Sequence, residues 1–573
     1  MNPSDTTADL LHKLGKDLVR KRALLIDRYP NARSTLRTML STIGVTTVHT
    51  AGTSAEVLRQ VKANSFDIIL SDYQLEDGRD GQQLLDELRQ QHLVRLSTVF
   101  IIVTSERTYH NVVSVAELAP DDYLIKPFTA DELRGRLLRA VYKKQFLAAV
   151  FDHLDNGAYA QALLACDRLL GQDSGFLMDL LRCKGEILNV LGRPAEAQAV
   201  YQQVLAQRVL PWARMGLAVA CRNQQQFAEA ESLGQSLVED FPEFTAAYDF
   251  LAEVREEMGK LAEAQSVLLQ AAAKSPNNAS RQRLVGDLAM RNNDLQTAEK
   301  AYGKVLDRRR GSTLSNVDDY TNLSRVLLDR GQTDGAQKIT AQLRRDWRGS
   351  KQGELAALVM DTLCANQEGN PAKARETVEQ ALQLGKSLQE AGKGSLLSQA
   401  LTLDLAQACL ATGKEEEARE IFRQVAAENH EDRNMIAKVQ SIYTKAGKEE
   451  DGQALLAEVG KEIVDLNNRG VLAARNGDVE GSVKLLIEAA ERVPNLQFLV
   501  NATKAIFTLL DQKGWDADLA RRGLRYLQLA QAKDMRNVRV ISARELYQRV
   551  ARKYGVALVP TAGVSAAGGR PMP

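Results

Sequence analysis

The chain is poor in residues that hold metals or carry redox chemistry. Six histidines are scattered over 573 residues and form no zinc- or haem-like cluster. The five cysteines, Cys166, Cys183, Cys221, Cys364 and Cys409, are odd in number and never at metal-ligand spacing. Each falls on the apolar face of a helical pattern, which predicts buried free thiols in a reducing compartment. No apolar run approaches the ~20 residues needed to span a bilayer. The opening MNPSDTTADLLHKLGKDLVRKR has no apolar signal core, so residues 1–21 read as a short amphipathic extension and the expected location is cytoplasmic. An excess of one charge is missing too: 74 Lys and Arg against 73 Asp and Glu leave a net +1, without the basic footprint of a nucleic-acid binder. The run Arg308-Arg309-Arg310 is short and reads as a solvated loop. No Ser/His/Asp set, HExxH or Gly-rich phosphate loop is apparent, so no enzyme is expected.

The chain is too long for one core. Residues 22–143 alternate apolar runs at 23–27, 45–50, 66–71, 99–103 and 122–125 with helical stretches at 31–43, 53–63, 81–91, 108–117 and 129–145. Such alternation predicts parallel βαβ units with helices on both faces. Thr129, followed by Asp131 and Glu132, reads as the N-cap of the last helix. Asp27, Asp72, Thr104 and Lys126 each end an apolar run, and strand ends of an open α/β sheet converge on one crevice. A carboxylate, a hydroxyl and a lysine meeting there suit the receipt of a phosphoryl group on a carboxylate.

From about residue 146 the composition turns Ala-, Leu-, Gln- and Glu-rich and the periodicity becomes helical. One signature recurs: typically a Gly or Asn in a turn, then a small residue five positions on. It reads GAYAQA162, GRPAEA197, QQFAEA230, GKLAEA264, NDLQTA298, GQTDGA336, GNPAKA374, GKEEEA418, GKEEDG452 and GDVEGS482. Large side chains four residues later (Tyr201, Leu268, Tyr302, Phe422) and glycines twelve residues earlier (Gly185, Gly286, Gly470) repeat as well. A spacing near 34 residues marks helix–turn–helix repeats. Longer spacings after 298 suggest insertions near 308–318, 345–353 and 385–396. Helices at 497–512, 517–533 and 538–554 lose the period and read as a cap within 496–556; residues 557–573 read as a disordered tail.

Two resemblances follow. Residues 22–143, with SDYQLEDGRDG around Asp72, VTS at 103–105 and DDYLIKPF at 121–128, resemble a response-regulator receiver domain. Residues 146–495 resemble a tetratricopeptide-repeat array. The fold expected is therefore an α/β flavodoxin-like receiver, with five parallel strands, followed by an all-α repeat superhelix of about ten hairpins. The receiver resemblance implies that Asp72 is the phosphoacceptor, that Thr104 and Lys126 contact the phosphate, and that Tyr123 is the switch aromatic that buries on phosphorylation. It further implies Mg²⁺ held by Asp27, Asp72 and the Gln74 carbonyl, a cis bond before Pro127, and a sensor histidine kinase or phosphotransfer protein as donor. One position departs: Arg28 stands where the family has a second acid. Either Arg28 folds over Asp72 and neutralises it in a metal-free pseudo-receiver scaffold, or it points outward and a weakened site remains, with Asp77 and Asp80 as loop and cap residues.

The repeat resemblance implies a groove, lined by first helices, that grips an unidentified protein or peptide. At the groove position eleven residues before the small residue stand Glu186, Val219, Glu253 and Asp287, with Asp249 nearby. These acids fit a basic or mixed-charge segment better than a free C-terminal carboxylate. The expected whole is a phosphorelay response regulator whose output binds protein and not nucleic acid.

Overall fold

The computed structural model describes residues 18–75, 81–91, 93–105, 120–172, 175–276, 278–309, 316–390, 398–534 and 537–556. The expected helix over 108–117, the acids Asp77 and Asp80, the 557–573 tail and all of the N-terminal extension before Leu18 lie outside these residues. Two compact units divide the chain, Met1–Ser315 and Asn316–Pro573.

The first unit begins with five strands: β1 (Arg22–Ile26), β2 (Thr47–Ala51), β3 (Ile68–Asp72), β4 (Val99–Thr104) and β5 (Asp122–Ile125). All pairings are parallel and the order is β2-β1-β3-β4-β5. Because successive side chains alternate, each strand feeds both faces. Leu25, Ile68, Leu70 and Ile101 pack with Leu36, Leu40, Leu133 and Leu137 of the helices Pro30–Ile43 and Ala130–Phe146. Leu24, Ile26, Ile69 and Phe100 pack on the other side with Val57, Val61, Leu84 and Leu88 of Ser54–Ala63 and Gly81–Gln90. Thr129 does cap the last helix: its hydroxyl accepts from the Glu132 N–H while Glu132 reaches back to the Thr129 N–H, a closed capping box. That helix runs to Phe146, and Leu147 alone separates it from the next helix, Ala148–Asp155.

Five helical hairpins complete the first unit: Ala148–Asp155 with Tyr159–Leu170, Leu177–Val190 with Pro194–Gln207, Pro211–Asn223 with Phe227–Asp240, Thr245–Glu257 with Leu261–Lys274, and Ala279–Arg291 with Leu295–Arg309. Arg308 and Arg309, expected in a loop, close the last of these helices.

The second unit continues with Val317–Asp329 and Thr333–Asp346, Lys351–Gln367 and Pro371–Glu390, Gln399–Ala411 and Glu415–Glu428, then Arg433–Lys445. The expected insertion near 345–353 is not an added loop. The extra residues lengthen the helix Lys351–Gln367 to 17 residues. Of the expected insertion near 385–396, the part up to Glu390 lengthens Pro371–Glu390 to 20 residues, and 391–397 lie outside the described residues. The short 30-residue spacing late in the array also has a cause. Glu449–Arg475 is one 27-residue helix that merges two elements without a break before Val479–Arg492. Leu496–Lys513, Ala517–Lys533 and Val538–Lys553 close the unit.

All ten signature turns share one backbone conformation. Gly157, Gly192, Gln225, Gly259, Asn293, Gly331, Gly369, Gly413, Gly447 and Gly477 have positive φ. In each turn the next N–H bonds the carbonyl five residues before the positive-φ residue's successor, as in Ala158 N–H to His153 O at 2.7 Å and Gln226 N–H to Cys221 O at 2.9 Å. This Schellman closure satisfies the helix's last carbonyls and explains why eight of the ten are glycine. The recurrent glycines admit large rings: a Cβ on Gly185 would lie 2.5 Å from the Tyr201 ring, and one on Gly286 2.6 Å from Tyr302.

Candidate functional site

Strand polarity brings the sequence-predicted residues together at the carboxyl edge of β1, β3, β4 and β5. Asp72 ends β3 and pairs in register with Val103, one residue before Thr104. The Lys126 N–H donates to the Thr104 carbonyl at 2.7 Å, which ties the end of β5 to the end of β4. The Lys126–Pro127 peptide is cis. Lys126 Nζ then reaches across the sheet edge, 2.8 Å from Asp72 Oδ1 and 3.2 Å from Asp27 Oδ2. Burial by itself lowers the lysine's pKa, but the hydrogen bond and charge of Asp72, followed by those of Asp27, outweigh it and raise the pKa above its ordinary value.

The two acids are held differently. Asp27 is fully buried, and its other oxygen accepts the Tyr29 N–H at 2.8 Å. Arg33 donates to the Asp27 carbonyl, fixing the turn into the first helix. Asp72 remains partly exposed, and its Oδ2 has no hydrogen bond to a described residue. Behind it, Gly81 starts the next helix so close that a Cβ there would lie 2.9 Å from the Asp72 carbonyl oxygen. Gly81 is a site residue that sequence reasoning missed, although it closes the SDYQLEDGRDG motif.

Arg28 does not fold over Asp72. It is exposed and stacks on the Tyr29 ring, 4.6 Å from guanidinium carbon to ring centroid. Lys126 already faces both carboxylates, so a second cation gains more by stacking outside than by entering the crevice. Gln74 is exposed just after β3, and Thr104 is buried at the end of β4. Tyr123 is already inward, 3 % exposed, within the cluster that includes Phe66, Phe100 and Ile102. An inward turn on phosphorylation would therefore start from a ring that is buried beforehand. Among the described residues no three His, Cys, Asp or Glu side chains converge as a metal cluster.

The four acids expected in the groove are all engaged within the array. Glu186 takes Arg182 at 2.8 Å, and Glu253 takes Arg222 at 2.7 Å. Asp249 forms a two-pronged pair with buried Arg281 at 2.8 and 2.6 Å. Asp287 accepts the Tyr302 hydroxyl at 2.5 Å. Burial pushes the Glu253 carboxyl up, against the opposing pull of Arg222. Arg222 and Arg281 belong to the neighbouring repeat in each case, and spacing within a single repeat gave no sign of this pairing.

Of the five cysteines, four are buried and Cys183 is half-buried, all as free thiols. No described helix is long and apolar enough to cross a membrane.

Family models agree with the two kinds of fold seen here. Residues 23–138 match the family model described as response regulator receiver domain. Residues 188–243, 251–313 and 365–443 match tetratricopeptide-repeat models. The chain is 24 % identical over 116 residues to the chemotaxis protein CheY-3 of Vibrio cholerae, covering 20 % of this chain and 88 % of that protein. It is 30 % identical over 133 residues to the probable transcriptional regulator ycf27 of Cyanidium caldarium, 23 % of this chain but about half, 51 %, of that relative. Among solved structures, the receiver domain of the Erythrobacter litoralis PhyR response regulator is similar at 21 % identity and TM-score 0.19, covering 21 % of this chain and 90 % of that one. A tetratricopeptide-repeat protein from Parabacteroides merdae is similar at 12 % identity and TM-score 0.28, covering 44 % and 98 %. The chain joins a response-regulator receiver domain to tetratricopeptide repeats.

Proposed function

We propose that this response regulator accepts a phosphoryl group on Asp72 from a sensor histidine kinase or phosphotransfer protein, and that the modified receiver alters the binding of a protein partner by the repeats. The observation that carries this reading is the Lys126 bridge. It pins Asp72 Oδ1 at 2.8 Å and leaves Oδ2 without a hydrogen bond to a described residue on a side chain 13 % exposed, with Arg28 stacked on Tyr29. In that arrangement Oδ2 attacks the phosphorus of a phosphohistidine, the P–N bond breaks as the O–P bond forms, and the imidazole leaves with the electron pair and takes a proton. Lys126 then faces the new phosphoryl oxygens with its charge already in place, and the buried Thr104 supplies a hydroxyl at the neighbouring strand end.

Two carboxylates and a backbone carbonyl form an all-oxygen donor set, which suits Mg²⁺ completed by water and phosphate oxygens. Asp27, Asp72 and the Gln74 carbonyl would hold the ion, and its charge would offset that of the transferred phosphoryl group. Arg28 in place of an acid supports a site weaker than one with three carboxylates. That same substitution favours the second reading, a pseudo-receiver that acts as a docking module without phosphorylation.

Treatment of the full chain with a small phosphodonor or beryllofluoride in Mg²⁺, followed by mass spectrometry, separates the two. The expected result is a wild-type adduct at Asp72 that Asp72→Asn abolishes. No adduct on wild type, but one on Arg28→Asp, would overturn the phosphoryl-switch reading and favour the pseudo-receiver.

A further inference from the structure

The repeats join the receiver at the edge of the sheet opposite Asp72. Asp155, the last residue of the first array helix, accepts the Leu96 N–H with both carboxylate oxygens at 3.1 and 3.2 Å. The Leu96 carbonyl is in turn taken by Lys144 Nζ at 2.7 Å. Lys144 also pairs with Asp121 at 3.0 Å, just before β5. Asp121 is locked to the start of β4: its Oδ2 accepts the Phe100 N–H at 2.9 Å, and its own N–H donates to the Phe100 carbonyl at 2.7 Å.

Arg89 lies in the field of both Asp121 and Asp155 and donates to the Thr98 carbonyl at 3.3 Å. Burial weighs on three of these charges. It pulls Arg89 and Lys144 down and pushes Asp155 up, against their mutual attraction. Two further contacts flank it: Phe176 packs against Tyr142 and Phe146, and Lys143 stands 3.6 Å from Asp179. Of the four charges, Lys144 and Asp121 form the close ion pair. Arg89 holds the Thr98 carbonyl, keeps Nη1 buried without a hydrogen bond to a described residue, and is balanced by the charges of Asp121 and Asp155 rather than by contact with them. Removing a carboxylate from this set strands a buried cation, which holds the elements in a single arrangement.

One element spans both ends of the domain. The helix Gly81–Gln90 begins against the Asp72 carbonyl, with its Gly81 N–H on the Tyr73 carbonyl at 2.8 Å, and carries Arg89 at its other end. Ten residues of helix are a rod of about 15 Å. We infer that the Arg89–Asp121–Lys144–Asp155 cluster makes the first hairpin an extension of the receiver, and that the helix Gly81–Gln90 transmits displacement at Asp72 to that hairpin. The inference adds the route to the phosphoryl-switch reading and rests on that reading only for the identity of the input.

The test needs no phosphodonor, so it stands even if Asp72 takes no phosphate. Hydrogen exchange of the full chain would be measured for peptides covering 148–170. Gly81→Ala, which forces a Cβ against the Asp72 carbonyl, is expected to change exchange there about fivefold or more. In an Asp155→Asn background the same substitution is expected to change it less than about twofold. Gly135→Ala, a helical position with nothing within 4 Å of the added Cβ, is expected to leave 148–170 unchanged. If Gly81→Ala unfolds the receiver, Ser71→Ala serves instead, since the Ser71 hydroxyl donates to the same carbonyl at 3.0 Å. No change over 148–170 from either substitution, or an equal change with and without Asp155→Asn, overturns the inference.

Discussion

Gly216→Ala and Gly303→Ala are the same chemical change in helix interiors of one unit, and the structure gives them opposite signs. Alanine is favoured over glycine in a helix by about 0.8–1.0 kcal/mol. At Gly303 nothing lies within 4 Å of the added Cβ, so that gain should appear nearly whole. At Gly216 the Cβ would enter the Tyr201 ring, closer even than the 2.5 Å from a Cβ on Gly185. Tyr201 is 1 % exposed, so its ring is pressed between glycines of two different helices and has nowhere to retreat. Overpacking of this kind costs about 1–3 kcal/mol, and a rigid ring with no free side belongs at the upper end. After the helix-propensity gain, Gly216→Ala should destabilise by about 1–2 kcal/mol, leaving about 2–3 kcal/mol between the two variants. Urea unfolding followed by tryptophan fluorescence reports the region, since Trp212 lies 6.3 Å from Tyr201, and hydrogen exchange of 177–223 localises the effect. Equal signs for the two variants, or a neutral Gly216→Ala, would refute the packing argument.

Two further predictions concern single residues. Because the Lys126 pKa is raised in the folded chain, its stabilising contribution is fully present below the unfolded value of about 10.4 and is lost as pH rises through the folded value. The stability difference between wild type and Lys126→Met should therefore be flat at neutral pH and shrink above about pH 10.4; a difference that widens there contradicts it. Gln225 is one of two non-glycine residues at the repeated positive-φ turn, with φ 61°. Gln225→Gly relieves about 1–2 kcal/mol of left-handed strain while loosening the unfolded chain by up to about 1 kcal/mol. Its melting temperature should rise, and a fall would show that the glutamine side chain holds the turn by contacts of its own.

The crevice at the strand ends was legible in the chain because each of its residues closes an apolar run, and parallel strands send their ends to one edge. Arg28 was visible as a departure but its direction was not. That depends on Lys126, 98 positions away in sequence, having already filled the space between the carboxylates. Tyr123 looked like a mobile reporter from its place before Lys126, yet the packing of Phe66, Phe100 and Ile102 draws it inward. The groove acids looked free for the same reason: Arg222 and Arg281, which pair with Glu253 and Asp249, lie 31 and 32 residues away, about one repeat off.

By itself the sequence determined the parallel α/β domain, the carboxylate–lysine site and the repeat turns. Strand alternation, strand-end polarity and the sign of φ are properties of a few neighbouring residues. The ten positive-φ residues coincide with the first letters of the ten signature motifs for that reason. Only the tertiary structure decided which charges pair, that Glu449–Arg475 is unbroken, and that the array meets the receiver opposite Asp72. Those outcomes depend on desolvation and on neighbours tens of residues apart, which no local pattern specifies.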